Sequence, residues 1–182
     1  MQPAANPRTI LLVEDEALIA MKTQAILQNN GYQVRTAHSG EKAVTAGKAE
    51  EVDLILMDID LGSGNMDGTE AAEAILQQRE VPIVFCTSHA EKEMVERVKG
   101  ITRYGYVVKS AGEFVLLEAI SMAFELFEAH RNLQKENEER KQAEKIVQET
   151  AAFYNHLMEN SIDAVYLLDR TKNILDVNSV AC

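Results

Sequence analysis

Acidic, hydroxyl and amine side chains follow the ends of four predicted strands. They are Glu14 and Asp15 after the first strand, Asp58 at the end of the third, Thr87 after the fourth and Lys109 after the fifth. Several carboxylates in one pocket repel each other and raise each other's pKa values unless a cation neutralises them. A hard divalent ion such as Mg2+ is usually held by one or two carboxylates together with a phosphate oxygen. Lys109 adds a point charge and Thr87 a hydroxyl donor, so the set suits phosphoryl transfer onto a carboxylate.

The elements that must position these residues are short apolar runs that alternate with helical patterns. The predicted strands are 9–13, 32–37, 53–58, 82–86 and 104–108, and the predicted helices are 17–30, 40–48, 71–78 and 91–99. This alternation predicts an α/β fold, a flavodoxin-like doubly wound five-stranded parallel sheet in the order 2-1-3-4-5. In that order Asp15 and Asp58 flank the crevice where such sheets bind ligands.

Two local patterns refine the helices of this sheet. In the first helix, Leu18, Met21, Ala25 and Ile26 recur at helical spacing, so we expect them to face the sheet. The run 67–70, Asp-Gly-Thr-Glu, has capping-box spacing and predicts the start of the third helix.

Composition limits the classes of function. The chain has 182 residues, 46% of them hydrophobic, which is enough for one domain and an appendage. A net charge of -11 disfavours nucleic acid and anionic membrane as direct partners. The opening residues lack the apolar core of a secretory signal, and no run approaches the roughly 20 apolar residues of a membrane span. These observations predict a cytoplasmic protein, with Cys86 as a small core residue.

Each candidate site residue also has a purely structural interpretation. An acid or a threonine at a strand end commonly caps a helix, and a lysine there is commonly solvated. The joint placement of these residues at four strand ends favours the functional interpretation over the separate structural ones.

The pattern changes beyond Ser110, where a helix begins that no Gly or Pro stops near residue 126. A heptad series runs on from Leu126 with polar interruptions; its two sets are 126, 133, 140, 147, 154 and 129, 136, 143, 150, 157. It favours a coiled coil and a homodimer through Leu126, Leu133 and Val147, whereas a single solvated helix is the alternative. The segments 161–168 and 171–177 are predicted strands joined by a turn at Asp169 and Arg170.

Five motifs resemble the response-regulator receiver domain of two-component signalling, over residues 8 to about 128. They are LLVEDE at 11–16, LMDID at 56–60, MDG at 66–68, VPIV at 81–84 with Thr87, and YGYVVK at 104–109. The resemblance implies that Asp58 accepts a phosphoryl group from a sensor histidine kinase.

The same resemblance assigns the remaining roles. It implies that Glu14, Asp15 and Asp58 hold Mg2+, with help from the backbone carbonyl of Asp60. Thr87 and Lys109 would bind the phosphoryl group, and Tyr106 would be the aromatic residue that turns inward when Thr87 moves. Asp60 and His89, which flank the reactive centre, would tune the lifetime of the phosphoryl group. Enzymatic activity beyond self-phosphorylation and autodephosphorylation is not implied.

One position departs from the family pattern, and the tail bears a second resemblance. Lys109 is followed by Ser110 where a proline is common, and a cis peptide there would cost about 3–4 kcal/mol. Residues 160–166 and 174–178 resemble the opening strands of a PAS sensor domain. The expected organisation is therefore a receiver domain at 8–128, a helical linker at 129–156 and the start of a PAS domain at 157–182. His130 and His156 are expected to be solvated helix residues without a phosphorelay role.

Two other functions compete with the receiver. A hydrolase of the haloacid-dehalogenase type also has an Asp-x-Asp motif and a later lysine, but its nucleophile follows the first strand, where this chain has the acid pair 14–15. A receiver-shaped interaction module that carries no phosphate and acts through its coiled coil is the second alternative. The full set of site residues argues against it.

Overall fold

The central feature of the fold is a five-stranded parallel sheet. In the computed structural model, which describes residues 7–62, 65–88, 100–101 and 104–181, its strands are β1 (Thr9–Val13), β2 (Gln33–Ala37), β3 (Leu54–Asp58), β4 (Ile83–Thr87) and β5 (Tyr106–Val108). Their order is β2-β1-β3-β4-β5, which confirms the predicted topology. The second and fifth strands begin later than the predicted residues 32 and 104. The inner strands β1, β3 and β4 are buried along their whole length, as their apolar runs predict.

Four helices are described: α1 (Ala17–Asn29), α2 (Gly40–Gly47), α3 (Gly68–Leu76) and α4 (Glu113–Asn160). The predicted capping box is present at the start of α3, where the Asp67 side chain accepts from the N–H groups of Thr69 and Glu70. As predicted, the last helix does not end near residue 126: α4 has 48 residues in total and ends at Asn160. The predicted helix 91–99 and His89 lie outside the described residues.

Alternate residues of the strands build two apolar layers, one on each face of the sheet. One layer packs against α2 and α3 through residues such as Ala43 and Ile75. The other packs against α1 and the first part of α4 through Leu27, Ile120 and Phe124. Because both faces of the inner strands are covered, the polar groups of these strands reach solvent mainly at the strand ends, which is where the candidate site lies.

The predicted buried face of α1 is wrong. Leu18 and Met21 are 83% and 68% exposed and Ala25 is exposed, while Ile26 is only half-buried. The buried residues of α1 are Ala20 and Leu27, which lie seven positions apart and so share one face. At about 100° of rotation per residue, Leu18 and Ala20 point to nearly opposite sides of the helix. The periodic pattern allowed two faces, and the smaller Ala20 lies on the one turned toward the sheet.

The chain divides into two compact units, Met1–His130 and Arg131–Cys182. In the second unit, the end of α4 is followed by an antiparallel pair, β6 (Tyr166–Leu168) and β7 (Ile174–Val177), shorter than the predicted 161–168 and 171–177. The predicted turn between them is present, and the Asp169 carboxylate accepts from the N–H groups of Thr171 and Asn173. Within the described part of the chain, no helix is both long and apolar enough to cross a membrane.

Candidate functional site

The turn after β1 brings two acids to the carboxyl edge of the sheet. Glu14 is only 3% exposed, and its backbone N–H donates to the carbonyl of Ala37 at the end of β2 (3.0 Å). The next residue, Asp15, is half-buried, and its Oδ2 accepts from the N–H of Gly62 in the loop after β3 (3.1 Å). The acid pair therefore lies between the ends of β2 and β3.

Lys109 connects the first and third strands at this edge. Its Nζ lies 2.8 Å from Asp58 Oδ2 and 2.7 Å from Glu14 Oε2. Asp58 is 3% exposed and the Lys109 side chain 15% exposed, so this ion triad is largely removed from water. The structure thus brings Glu14, Asp58 and Lys109, which follow three separate strands, into direct contact.

Burial and charge shift the pKa values of this triad. Burial raises the pKa of Asp58 above its ordinary value, and the hydrogen bond from Lys109 only partly opposes this. Burial also raises the pKa of Glu14, against the Lys109 hydrogen bond, and the Asp58 charge adds to the rise. Burial would lower the pKa of Lys109, but its hydrogen bonds to Asp58 and Glu14 outweigh that effect and raise it. Three carboxylates, those of Glu14, Asp15 and Asp58, share this edge with the single amine of Lys109, so the ionised cluster carries more negative charge than this lysine neutralises.

A divalent cation fits this donor set. Carboxylate oxygens of Glu14, Asp15 and Asp58 lie within 4.8 Å of one another. Oxygen ligands of this kind are those that Mg2+ prefers, and the residual negative charge favours a cation. Asp60 is exposed and its carboxylate is not part of this group; its N–H lies 3.4 Å from Asp58 Oδ1.

Thr87 and Tyr106 occupy neighbouring strands on the other side of Asp58. Thr87 is the last residue of β4 and is 2% exposed, and the residue before it, Cys86, pairs with Asp58 in the sheet. Tyr106 begins the edge strand β5 and is 42% exposed. The structure thus places Thr87 beside the acidic cluster and leaves the Tyr106 ring partly in solvent.

The peptide bond after Lys109 is not in the cis conformation that the family pattern raised. Peptide bonds between the described residues are all trans, including the one between Lys109 and Ser110. Residues Lys109–Ala111 form one 3-10 turn, and Gly112 follows with φ of +90°, which favours glycine. The lysine therefore reaches the acids without a proline after it.

The loop from β3 to α3 approaches the site closely. The Gly68 N–H donates to the Ile59 carbonyl (3.0 Å), and a Cβ at position 68 would lie 1.8 Å from the Asp58 carbonyl oxygen.

Glu41 Oε1 accepts from the N–H of Asn65 (3.1 Å). His38 Nδ1 lies 2.8 Å from the Glu14 carbonyl oxygen. Sequence reasoning missed His38 and Glu41, because such contacts carry no spacing signal in one sequence.

Comparisons with known proteins identify the family of this chain. Residues 10–121 match the family model of the response regulator receiver domain. The transcriptional regulatory protein PdtaR of Mycobacterium tuberculosis is 36% identical over 125 residues, which are 68% of this chain and 60% of that protein. The chain therefore spans about 60% of the length of this relative.

Two further proteins show where similar domains occur. The CAI-1 autoinducer sensor kinase/phosphatase CqsS of Vibrio cholerae is 28% identical over 125 residues, covering 66% of this chain and 18% of that protein. Among solved structures, the N-terminal domain of a response regulator/sensory box/GGDEF three-domain protein from Carboxydothermus hydrogenoformans is 47% identical. It has a TM-score of 0.61 and covers 68% of this chain and 98% of that chain.

Proposed function

Because this chain belongs to the response regulator receiver family, we propose that it takes a phosphoryl group from a sensor histidine kinase onto Asp58. The observation that supports this most directly is the Lys109 amine bound to both Asp58 and Glu14 at the edge of the sheet. An Asp58 oxygen would form the new bond to phosphorus while the bond between phosphorus and an imidazole nitrogen of the kinase's phosphorylated histidine breaks. The electron pair of the broken bond would stay on that nitrogen.

The other site residues have complementary roles in this proposal. Lys109 would move from the Asp58 carboxylate to a phosphoryl oxygen, and the buried Thr87 hydroxyl would donate to another. Glu14, Asp15 and Asp58 would hold Mg2+ together with the backbone carbonyl of Asp60. When bound, this ion would offset the charge of the phosphoryl oxygens in the transition state. Tyr106, whose ring is partly exposed, would turn inward when Thr87 moves toward the phosphoryl group.

The test is the intact mass of the chain after incubation with acetyl phosphate, with Mg2+ and with a chelator. Wild-type protein should gain the mass of one phosphoryl group only when Mg2+ is present, and Asp58→Asn should gain none. If the folded wild-type chain gains no mass under either condition, phosphorylation is refuted and the interaction-module alternative takes its place. Transfer from a kinase is tested separately, with a phosphorylated histidine kinase as the donor.

We further propose that residues 8–128 are the receiver, 129–156 a helical linker and 157–182 the start of a PAS domain. The antiparallel β6–β7 pair supports the last assignment, because the resemblance to the opening of a PAS domain implies two strands in this part of the chain. The similar protein with a receiver, a sensory box and a GGDEF domain shows that a sensory domain can accompany such a receiver. Phosphorylation would then act on a PAS-containing output in the cytoplasm.

The exposed heptad stripe of α4 supports a homodimer. Leu133 and Val147 are 64% and 66% exposed in the second unit, and Leu157 continues the same series. The double variant Leu133→Asn with Val147→Asn should therefore sediment as a monomer. The control variant Gln142→Asn with Gln148→Asn changes exposed positions outside the heptad seam and should sediment like wild type. A monomeric wild-type chain would refute this part of the proposal.

A further inference from the structure

The short segment between β2 and α2 touches both loops that carry the acidic site. His38 contacts the turn after β1, and Glu41 accepts from Asn65 in the loop after β3. Neither side chain belongs to the acidic cluster itself. The question is whether this segment only connects two elements or also determines the geometry of the acids.

The contact of His38 is directional. A carbonyl oxygen can only accept a hydrogen bond, so Nδ1 of His38 must be protonated. Its N–H donates a hydrogen bond to the backbone carbonyl oxygen of Glu14, with Nδ1 and the oxygen 2.8 Å apart. The neighbouring Ala37 carbonyl accepts the Glu14 N–H (3.0 Å). Both backbone polar groups of Glu14 are thus bonded to the end of β2, which fixes the peptide group on each side of its side chain.

This bond acts on two candidate metal ligands at once. The carbonyl that His38 binds belongs to the peptide that joins Glu14 to Asp15. Rotation of that peptide would turn the Asp15 side chain relative to Asp58 and would shift Glu14 relative to Lys109. Groups that orient metal ligands from outside commonly change metal affinity or activity about 10-fold to 100-fold when removed.

We propose that His38 is a positioning residue that holds the Glu14–Asp15 turn in the geometry required for a divalent cation at the acidic cluster. This inference rests on the proposed function of that cluster. The role requires only the N–H donor of the side chain, so it does not depend on the charge of the imidazole.

Three variants of the full chain separate positioning from general stability. His38→Leu removes the donor. His38→Asn keeps one, because the Asn amide nitrogen occupies the same place beyond Cβ as Nδ1 of histidine. Ser39→Ala is the matched control: Ser39 Oγ caps α2 by accepting from the Lys42 N–H (3.4 Å), so this variant weakens the same segment without touching Glu14.

The readout is the Kd for Mg2+, measured from the amide shifts of the receiver in a Mg2+ titration followed by NMR. His38→Leu should raise the Kd by about 10-fold or more, while His38→Asn and Ser39→Ala stay within about twofold of wild type. Equal Kd values for wild type and His38→Leu would overturn the inference, as would equal weakening in His38→Asn and His38→Leu. If wild type itself shows no Mg2+ binding, the proposed metal site fails first and the inference with it.

Discussion

Replacing Lys109 with methionine should destabilise the metal-free receiver by about 3 kcal/mol. The substitution keeps most of the side-chain volume but removes the charge that joins Glu14 and Asp58. Both acids are 3% exposed, so water cannot take over the role of the amine. Breaking a buried ion pair by removing one partner typically costs about 3–5 kcal/mol.

The lower end of this range follows from the structure. At an effective dielectric constant of about 20, each contact near 2.8 Å has a gross Coulomb energy of about 6 kcal/mol. Burying the ammonium group costs several kcal/mol, which methionine no longer incurs. The raised pKa values of Glu14 and Asp58 also allow one of them to take up a proton once the lysine is gone. These two effects reduce the loss to about 3 kcal/mol.

A divalent cation should reverse most of this loss. Mg2+ at 100 times its Kd adds about 2.7 kcal/mol to the free energy of unfolding of a protein that binds it only when folded. We expect Lys109→Met to be markedly less stable than wild type in a chelator and to recover with Mg2+. Recovery by a monovalent salt at the same ionic strength should be much smaller.

The assay is amide hydrogen exchange of the buried strands β1 and β3, because their slowest amides report the global free energy of unfolding of the receiver. Lys48→Met, at an exposed lysine in the same unit, is the control and should change stability by less than about 0.5 kcal/mol. A loss below about 1 kcal/mol for Lys109→Met in the chelator would refute the reasoning. It would mean that Glu14 and Asp58 do not depend on this amine.

Three further outcomes follow from the same geometry. Burial raises the pKa of Asp58 above its ordinary 3.8, so in this pH range the folded state binds more protons than the unfolded state. The free energy of unfolding of the metal-free chain should therefore fall as pH rises from 3.8 through the raised pKa. Asp58→Asn should flatten this slope in urea unfolding between pH 4 and pH 8. Gly68→Ala should lower stability by at least about 2 kcal/mol and abolish labelling by acetyl phosphate, since its Cβ would meet the Asp58 carbonyl at 1.8 Å. Burial raises the pKa of the Cys86 thiol to about 12, so in a Cys182→Ser background it should react with a thiol reagent at pH 8 only on unfolding.

The sheet could be predicted from the sequence because its inner strands leave little ambiguity. Runs such as 54–57, Leu-Ile-Leu-Met, are too apolar for any place other than between two helical layers. Parallel strands end at one edge, so a polar residue directly after such a run must lie there. The sequence pattern therefore predicts that Glu14, Asp58 and Lys109 lie close together at this edge.

The face of α1 could not be predicted in the same way. Its apolar residues occur on more than one side, so periodicity gives two solutions, and the pattern alone favoured the side with Leu18 and Met21. The structure buries Ala20 and Leu27 instead. A small residue such as Ala20 lets a helix approach a sheet closely, an effect of shape that a hydrophobicity pattern does not record.

The contacts around the acids were also beyond the sequence. The bond from His38 to the Glu14 carbonyl depends on the ends of β1 and β2 lying side by side, 24 positions apart in the chain. Any donor of suitable length could serve there, so the residue type alone carries no signal. Positions that act through backbone groups become visible only when the fold is known.

One residue serves both the stability and the proposed chemistry of this site, and this affects how variants must be interpreted. Lys109 offsets the repulsion between Glu14 and Asp58 in the metal-free state, and in the proposed reaction it moves to a phosphoryl oxygen. Loss of labelling in Lys109→Met could therefore arise from a lost transition-state contact or from a distorted pair of acids. Saturating Mg2+ separates these causes, because it restores the fold without replacing the amine. A variant that is stable with Mg2+ but still unlabelled would assign the amine a direct part in phosphoryl transfer.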